Sequence, residues 1–243
     1  MKISINCLCV VLLLTISNAA YTQDRISVTQ SPEAGVAAAD AETSELKAGF
    51  RAGHNAVFGA FTAFSLEAMH SFTNEFSISG GGQYNTIGKT ALEAIPAYHM
   101  NFKWGELSAE ALLTYSNLTS VHNYTAGAGI KAIFGWLSAK LGYYYRIYGG
   151  NDSWITEPFN IYYELRANLL QRIERWDLEL ALTNCESFEL ERHYQPSYLA
   201  ECLYEIGQKV AVSLGMGYKP AGTFNISADY YQTFIKTGVS FRW

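Results

Sequence analysis

The chain has 243 residues and a net charge of −5. It carries no basic stripe of the kind that grips nucleic acid, and no apolar run of 18 residues that would make a membrane-spanning helix. With 14% aromatic but only 16% charged residues, it suits a bilayer if alternate side chains face lipid; a soluble secreted β-sandwich is the other class these numbers admit.

The N-terminus reads as a secretory signal peptide over residues 1–19. Lys2 supplies the positive start, 7–16 is an apolar run, and Ser17-Asn18-Ala19 has the small-x-small form of a cleavage site. Cys7 and Cys9 are expected to leave with it. Residues 20–43, rich in Ala, Ser, Thr and Asp without apolar periodicity, are expected to form a flexible tail.

From residue 44 the chain breaks into twelve segments, about 44–53, 56–69, 74–84, 90–104, 106–116, 122–135, 137–148, 158–170, 176–186, 195–205, 208–218 and 231–243. Several alternate cleanly. Leu137, Ala139, Leu141, Tyr143, Tyr145 and Ile147 oppose Ser138, Lys140, Gly142, Tyr144, Arg146 and Tyr148. Val210, Val212, Leu214, Met216 and Tyr218 oppose Lys209, Ala211, Ser213, Gly215 and Gly217. Period two is the strand template, and each segment is long enough to cross a bilayer as a tilted strand of about 9–11 residues. The weakest is 56–69, where Phe58, Phe61 and Phe64 have helical spacing. In the last segment Ile235, Thr237, Val239, Phe241 and Trp243 alternate with Lys236, Gly238, Ser240 and Arg242. Cys185 and Cys202 fall on opposite strand parities and are read as free thiols.

The connections sort by parity. Those at 104–106, 135–137, 171–175 and 205–208 are short; those at 149–157, 187–194 and 219–230 are long. An up-and-down barrel has this asymmetry. Trp104, Trp136, Trp176 and Trp243 fall at the short-turn ends, whereas Tyr115, Tyr145 and Tyr218 fall toward the other ends, as expected of two membrane-interface girdles. Trp154 stands apart, in an expected external loop.

With these features the chain over 44–243 resembles a small bacterial outer-membrane β-barrel protein. The terminal Phe241-Arg242-Trp243 looks like the aromatic signal read by the barrel-assembly machinery, with Trp where most such barrels end in Phe. The resemblance implies an all-β, transmembrane, antiparallel barrel of about twelve strands in the outer membrane of a Gram-negative envelope. Its implied partners are outer-membrane lipids, the assembly machinery and a small polar solute.

Inward positions are where function would lie. Ser77, Ser79, Gly81, Gly127, Gly129, Ala211, Ser213, Gly215 and Gly217 leave space there. Lys131, Lys140, Tyr144, Arg146, Tyr162, Glu164, Arg166 and Glu179 project into it. Hairpin register sets Tyr144 against Tyr162, Lys140 beside Arg166, and Arg166 near Glu179. Such a wall either selects solutes by charge and size or forms an ion network that fills the lumen. Glu93, His99, Asn101, Lys103, Glu106 and Glu110 add a lining of mixed sign.

The leading expectation is therefore a porin-like, narrow passive channel for small polar solutes. The alternatives are a non-conducting structural or accessory barrel that binds partner proteins, and a lipid-modifying outer-membrane enzyme. An enzyme of that kind needs a Ser nucleophile beside a His base. No His and Ser lie two apart on one strand face, and His193 and Ser197, four apart, are separated by about 13 Å along a strand. No zinc-type Cys/His spacing, EF-hand loop or phosphate loop is present, so no metal, cofactor or catalytic activity is expected.

Overall fold

The alternating segments pair into strands because each has one apolar and one polar face, and only a closed ladder satisfies every backbone group while keeping both faces apart. The computed structural model describes residues 43–55, 59–118, 121–150, 153–169, 175–186, 189–190, 196–220 and 232–243. Its strands are β1 (Thr43–Asn55), β2 (Gly59–Ser71), β3 (Phe76–Asn85), β4 (Lys89–Phe102), β5 (Gly105–Leu118), β6 (Val121–Phe134), β7 (Leu137–Gly150), β8 (Ser153–Asn168), β9 (Trp176–Thr183), β10 (Cys185–Glu186), β11 (Glu189–Leu190), β12 (Ser197–Glu205), β13 (Val210–Lys219) and β14 (Gln232–Arg242). Twelve of them close a barrel in the order β1-β14-β13-β12-β9-β8-β7-β6-β5-β4-β3-β2, while β10 and β11 pair only with each other. The architecture is all-β and antiparallel throughout.

The seam runs from Glu45↔Arg242 to Asn55↔Gln232. It is extended by two reciprocal bonds: the Ser44 N–H donates to the Trp243 carbonyl at 2.9 Å, and the Trp243 N–H donates to the Ser44 carbonyl at 3.0 Å. The end where β1 starts and β14 finishes is called the near mouth below; the opposite end is the far mouth.

The Phe spacing of the second segment does not make a helix. Ladder partners on both sides hold β2 extended, so Phe61 is buried inside and Phe64 is exposed outside. The expected signal peptide and nearly all of the expected tail lie outside the described residues, as do 56–58 and most of the 171–175, 187–194 and 219–230 connections.

Three expectations need correction. The long loop at 149–157 is not borne out, because β7 runs to Gly150 and β8 starts at Ser153. Gly149 permits this: a Cβ there would run into the backbone of Ser153 and Trp154. Trp154 is consequently a strand residue, its ring 6.1 Å from that of Tyr124. The longer pairing, with a bulge between Tyr144 and Arg146, also moves the register. Tyr144 faces Asn160, Tyr162 faces Gly142, and Lys140 faces Glu164 rather than Arg166. Finally, β9 ends at Thr183, and the chain leaves the wall at Asn184 instead of continuing to 186.

Candidate functional site: the barrel interior

The two faces of the wall differ chemically. On β7, Leu141 and Tyr143 are 60% and 61% exposed on the outside, while Tyr144 between them and Tyr145 is 2% exposed on the inside. On β14, Ile235, Val239 and Phe241 point out, with Trp243 just beyond the strand, while Phe234 and Ser240 point in. A closed barrel with an apolar exterior and a polar interior is built to face lipid.

The aromatic residues assigned to the interfaces are placed as follows. Trp104, Trp136, Trp176 and Trp243 are exposed at the near mouth. Trp104 stacks between Phe102 and Phe134, with ring centroids 5.0 and 5.1 Å away, and Trp176 lies 4.5 Å from Tyr204. Toward the far mouth, Tyr115 lies 5.1 Å from Tyr124, and Tyr145 and Tyr218 are exposed.

Of the eight side chains expected inside, Lys131, Tyr144, Tyr162, Glu164 and Glu179 are buried, and Lys140, Arg146 and Arg166 are half-buried. Arg166 reaches Glu164 at 2.7 Å and Glu179 at 2.5 Å, so one guanidinium fork serves two carboxylates. Lys140 is 2.5 Å from Glu110 and 5.6 Å from the centre of the Tyr162 ring. Arg146 is 3.7 Å from Glu157 and 5.1 Å from the Tyr144 ring. Lys131 is buried beside Lys140 in the β6–β7 ladder. Tyr162, with no exposed surface, lies over Gly129 and Gly142, where a Cβ would overlap its ring. Asn101 and Lys103, expected in the lining, are instead exposed beside the β4–β5 turn.

A second charged group gathers from β1, β2, β12 and β14. Lys236 of β14 is 2.7 Å, and Lys47 of β1 is 3.7 Å, from the Glu201 carboxylate of β12. Buried Glu67 stands opposite Lys47 in the β1–β2 ladder. Near this group is a cavity of about 40 Å³, lined in part by Lys47, Arg51, Glu67, Glu186, Glu201 and Lys236. That is space for only a few water molecules.

Glu186 reaches this place because the chain turns inward after β9. Asn184 caps the departure. Its Oδ1 accepts from the Tyr163 N–H at 2.7 Å, and its Nδ2 donates to the Ile161 carbonyl at 2.9 Å. These bonds satisfy part of the β8 edge that β9 abandons. Thr183 Oγ1 donates to the Tyr163 carbonyl at 3.0 Å and accepts from the Cys185 N–H at 2.9 Å. Cys185 then packs in a cluster with Ile95, Leu112, Tyr144 and Tyr162, from four strands including the distant β4 and β5. Glu186 pairs with Arg51 of β1, whose guanidinium lies 4.1 Å from the centre of the Phe234 ring. Phe61, Ala181, Leu199 and Phe234 form another interior cluster, which brings β2 against β9 and β12.

Cys202 lies on the outward parity of β12, and both cysteines are free. Nearer the near mouth, Arg242 contacts Glu45 at 3.3 Å and Glu205 at 3.5 Å. There the structure also joins residues that a search along single strands cannot find. Ser77 Oγ is 2.8 Å from His99 Nε2, and His99 Nδ1 is 2.7 Å from Glu106 Oε1. The three come from β3, β4 and β5.

No family model matches the sequence, and neither does any curated protein. Solved structures do match the fold. A KdgM porin is 14% identical, with a TM-score of 0.53, over 81% of this chain and 98% of that one. A NanC porin is 13% identical, with a TM-score of 0.52, over 82% and 98%. The translocator domain of the autotransporter NalP from Neisseria meningitidis is 10% identical, with a TM-score of 0.54, over 93% and 97%. The similarity thus spans proteins with different tasks, and it identifies the architecture: a closed twelve-stranded barrel of the outer-membrane type.

Proposed function

We propose that the protein is an integral barrel of a bacterial outer membrane and a narrow passive channel for small polar solutes. The observation that carries this reading is the inner wall. Charged groups of both signs, Lys47, Arg51, Glu67, Glu186, Glu201 and Lys236, converge on one small cavity, inside a wall whose outer face is apolar. An inner wall of this kind would exclude by charge only weakly, because both signs line it. The KdgM porin has a structure in complex with disordered oligogalacturonate, a 15% identical chain with a TM-score of 0.50. The mixed-sign lining here favours no such single ligand. Outer-membrane lipids cover the outer wall, and Phe241 on the closing strand, with Trp243 just after it, presents the surface read by the assembly machinery.

A second reading, a non-conducting accessory barrel, is favoured by the interior contact of Phe61 with Ala181, Leu199 and Phe234. Purified protein in planar bilayers separates the two. The channel reading predicts small, resolved conductance steps that grow in Glu186→Gln, where the tie between Arg51 and the inward hairpin is weakened. Silent bilayers with both proteins would favour the accessory barrel.

A further inference from the structure

The near mouth holds an arrangement that the channel reading does not use. His99 is a β4 residue facing inward, between Ser77 on β3 and Glu106 on β5. Glu106 accepts a hydrogen bond from His99 Nδ1–H at 2.7 Å. With the ring neutral, this fixes the tautomer and leaves the Nε2 lone pair free to accept from the Ser77 hydroxyl, 2.8 Å away. The order is hydroxyl, base, orienting carboxylate, with each contact at hydrogen-bond length. That is the mutual geometry required of an activated nucleophile. The ladder holds it rigidly: Ser77 pairs with Ala97, His99 with Ser108, and Asn101 with Glu106.

The contact of Ser44 Oγ with His70 differs in kind. It uses Nδ1, at 2.9 Å, and His70 packs edge-on against Phe72, with ring centroids 4.3 Å apart. Ser77 and His99 are themselves buried, and the polar residues Thr73, Asn74 and Glu75, which lead into Ser77, are exposed.

We propose that Ser77, His99 and Glu106 form a nucleophilic site for acyl transfer at the near mouth of the barrel, with carboxylic esters as the substrate class. In the first step Ser77 Oγ bonds to the acyl carbon and the ester C–O bond breaks. The hydroxyl proton passes to His99 Nε2 and then to the departing alkoxide. In the second step water gives its proton to His99 and its oxygen to the acyl carbon. The acyl–Ser77 bond breaks, the proton returns to Ser77, and a carboxylic acid leaves. Glu106 is a positioning residue that keeps the imidazole oriented and stabilises its protonated form. The site faces the interior, so its esters arrive through the aqueous mouth rather than from the lipid face.

The test uses the full chain folded in detergent and a fluorophosphonate probe, which bonds to an activated Ser with loss of fluoride and a proton. Intact mass should show one adduct, peptide mapping should place it on Ser77, and heat denaturation before labelling should abolish it. His99→Gln should slow labelling at least about 100-fold, and Glu106→Gln should slow it while leaving Ser77 the labelled residue. Variants are compared only where they keep the compact, heat-modifiable form on gels; if Ser77→Ala does not fold, the mapped wild-type adduct decides. An unlabelled folded wild type, an adduct elsewhere, or labelling at an unchanged rate in folded His99→Gln would overturn the proposal.

Discussion

Arg166→Ala should lower the stability of the barrel by about 3–5 kcal/mol, toward the lower end because the side chain keeps some solvent contact. The guanidinium contacts Glu164 at 2.7 Å and Glu179 at 2.5 Å, and its removal leaves two carboxylates facing each other in the interior. The loss should appear as a lower urea midpoint for unfolding from detergent. Replacing all three residues together, with Arg166→Met, Glu164→Gln and Glu179→Gln, should cost much less, because no unpaired charge remains. If the lumen conducts, Arg166→Ala should also shift the reversal potential toward cations. Unchanged unfolding together with unchanged selectivity would show that the group neither supports nor lines the interior.

Gly142→Val is expected to damage the wall without altering any charge. A Cβ at this position would meet the Ala128 carbonyl oxygen at 2.5 Å and overlap the ring of Tyr162. The side chain of Tyr162 is wholly buried. Overpacking of this kind costs about 1–3 kcal/mol, and the extra methyls of Val place it at the top of that range. Gly207→Ala is the matched control, since a Cβ there meets nothing within 4 Å. Heat-modifiability on gels, read as the temperature at which the compact form is lost, should fall for Gly142→Val and stay level for Gly207→Ala.

The wall was legible in the sequence because a strand has one repeating rule. Leu141 and Tyr143 out, with Gly142 and Tyr144 in, is fixed by parity alone once a strand is assumed. Parity also put Arg166 and Glu179 inside, and neighbouring strands then brought them together. Register was less legible. It depends on the turn, and nothing in the pattern around residues 149–157 announces that Gly149 lets two strands close almost completely, or that a bulge follows Tyr144. Contacts across the interior were not legible at all. Arg51 with Glu186 joins strands that the chain order separates, whereas Lys236 and Glu201 meet over Gly215 on the intervening β13. The inward turn left one local trace: Thr183-Asn184 supplies the side-chain bonds that end a strand. Ser77 and His99 are 22 residues apart, so a search for His and Ser on one strand could not pair them.

The central claim is a two-faced wall set in a membrane with its polar face inward. Spin labels placed singly along β14, in full-length protein reconstituted in liposomes with the native cysteines replaced, test it most directly. Labels at Ile235, Thr237, Val239 and Phe241 should be relaxed by oxygen and shielded from a water-soluble paramagnet, whereas labels at Lys236 and Ser240 should be shielded from oxygen. Alternation with period two across these six positions is the predicted result. Uniform access of the water-soluble reagent to all six, as on the surface of a soluble β-protein, would contradict it.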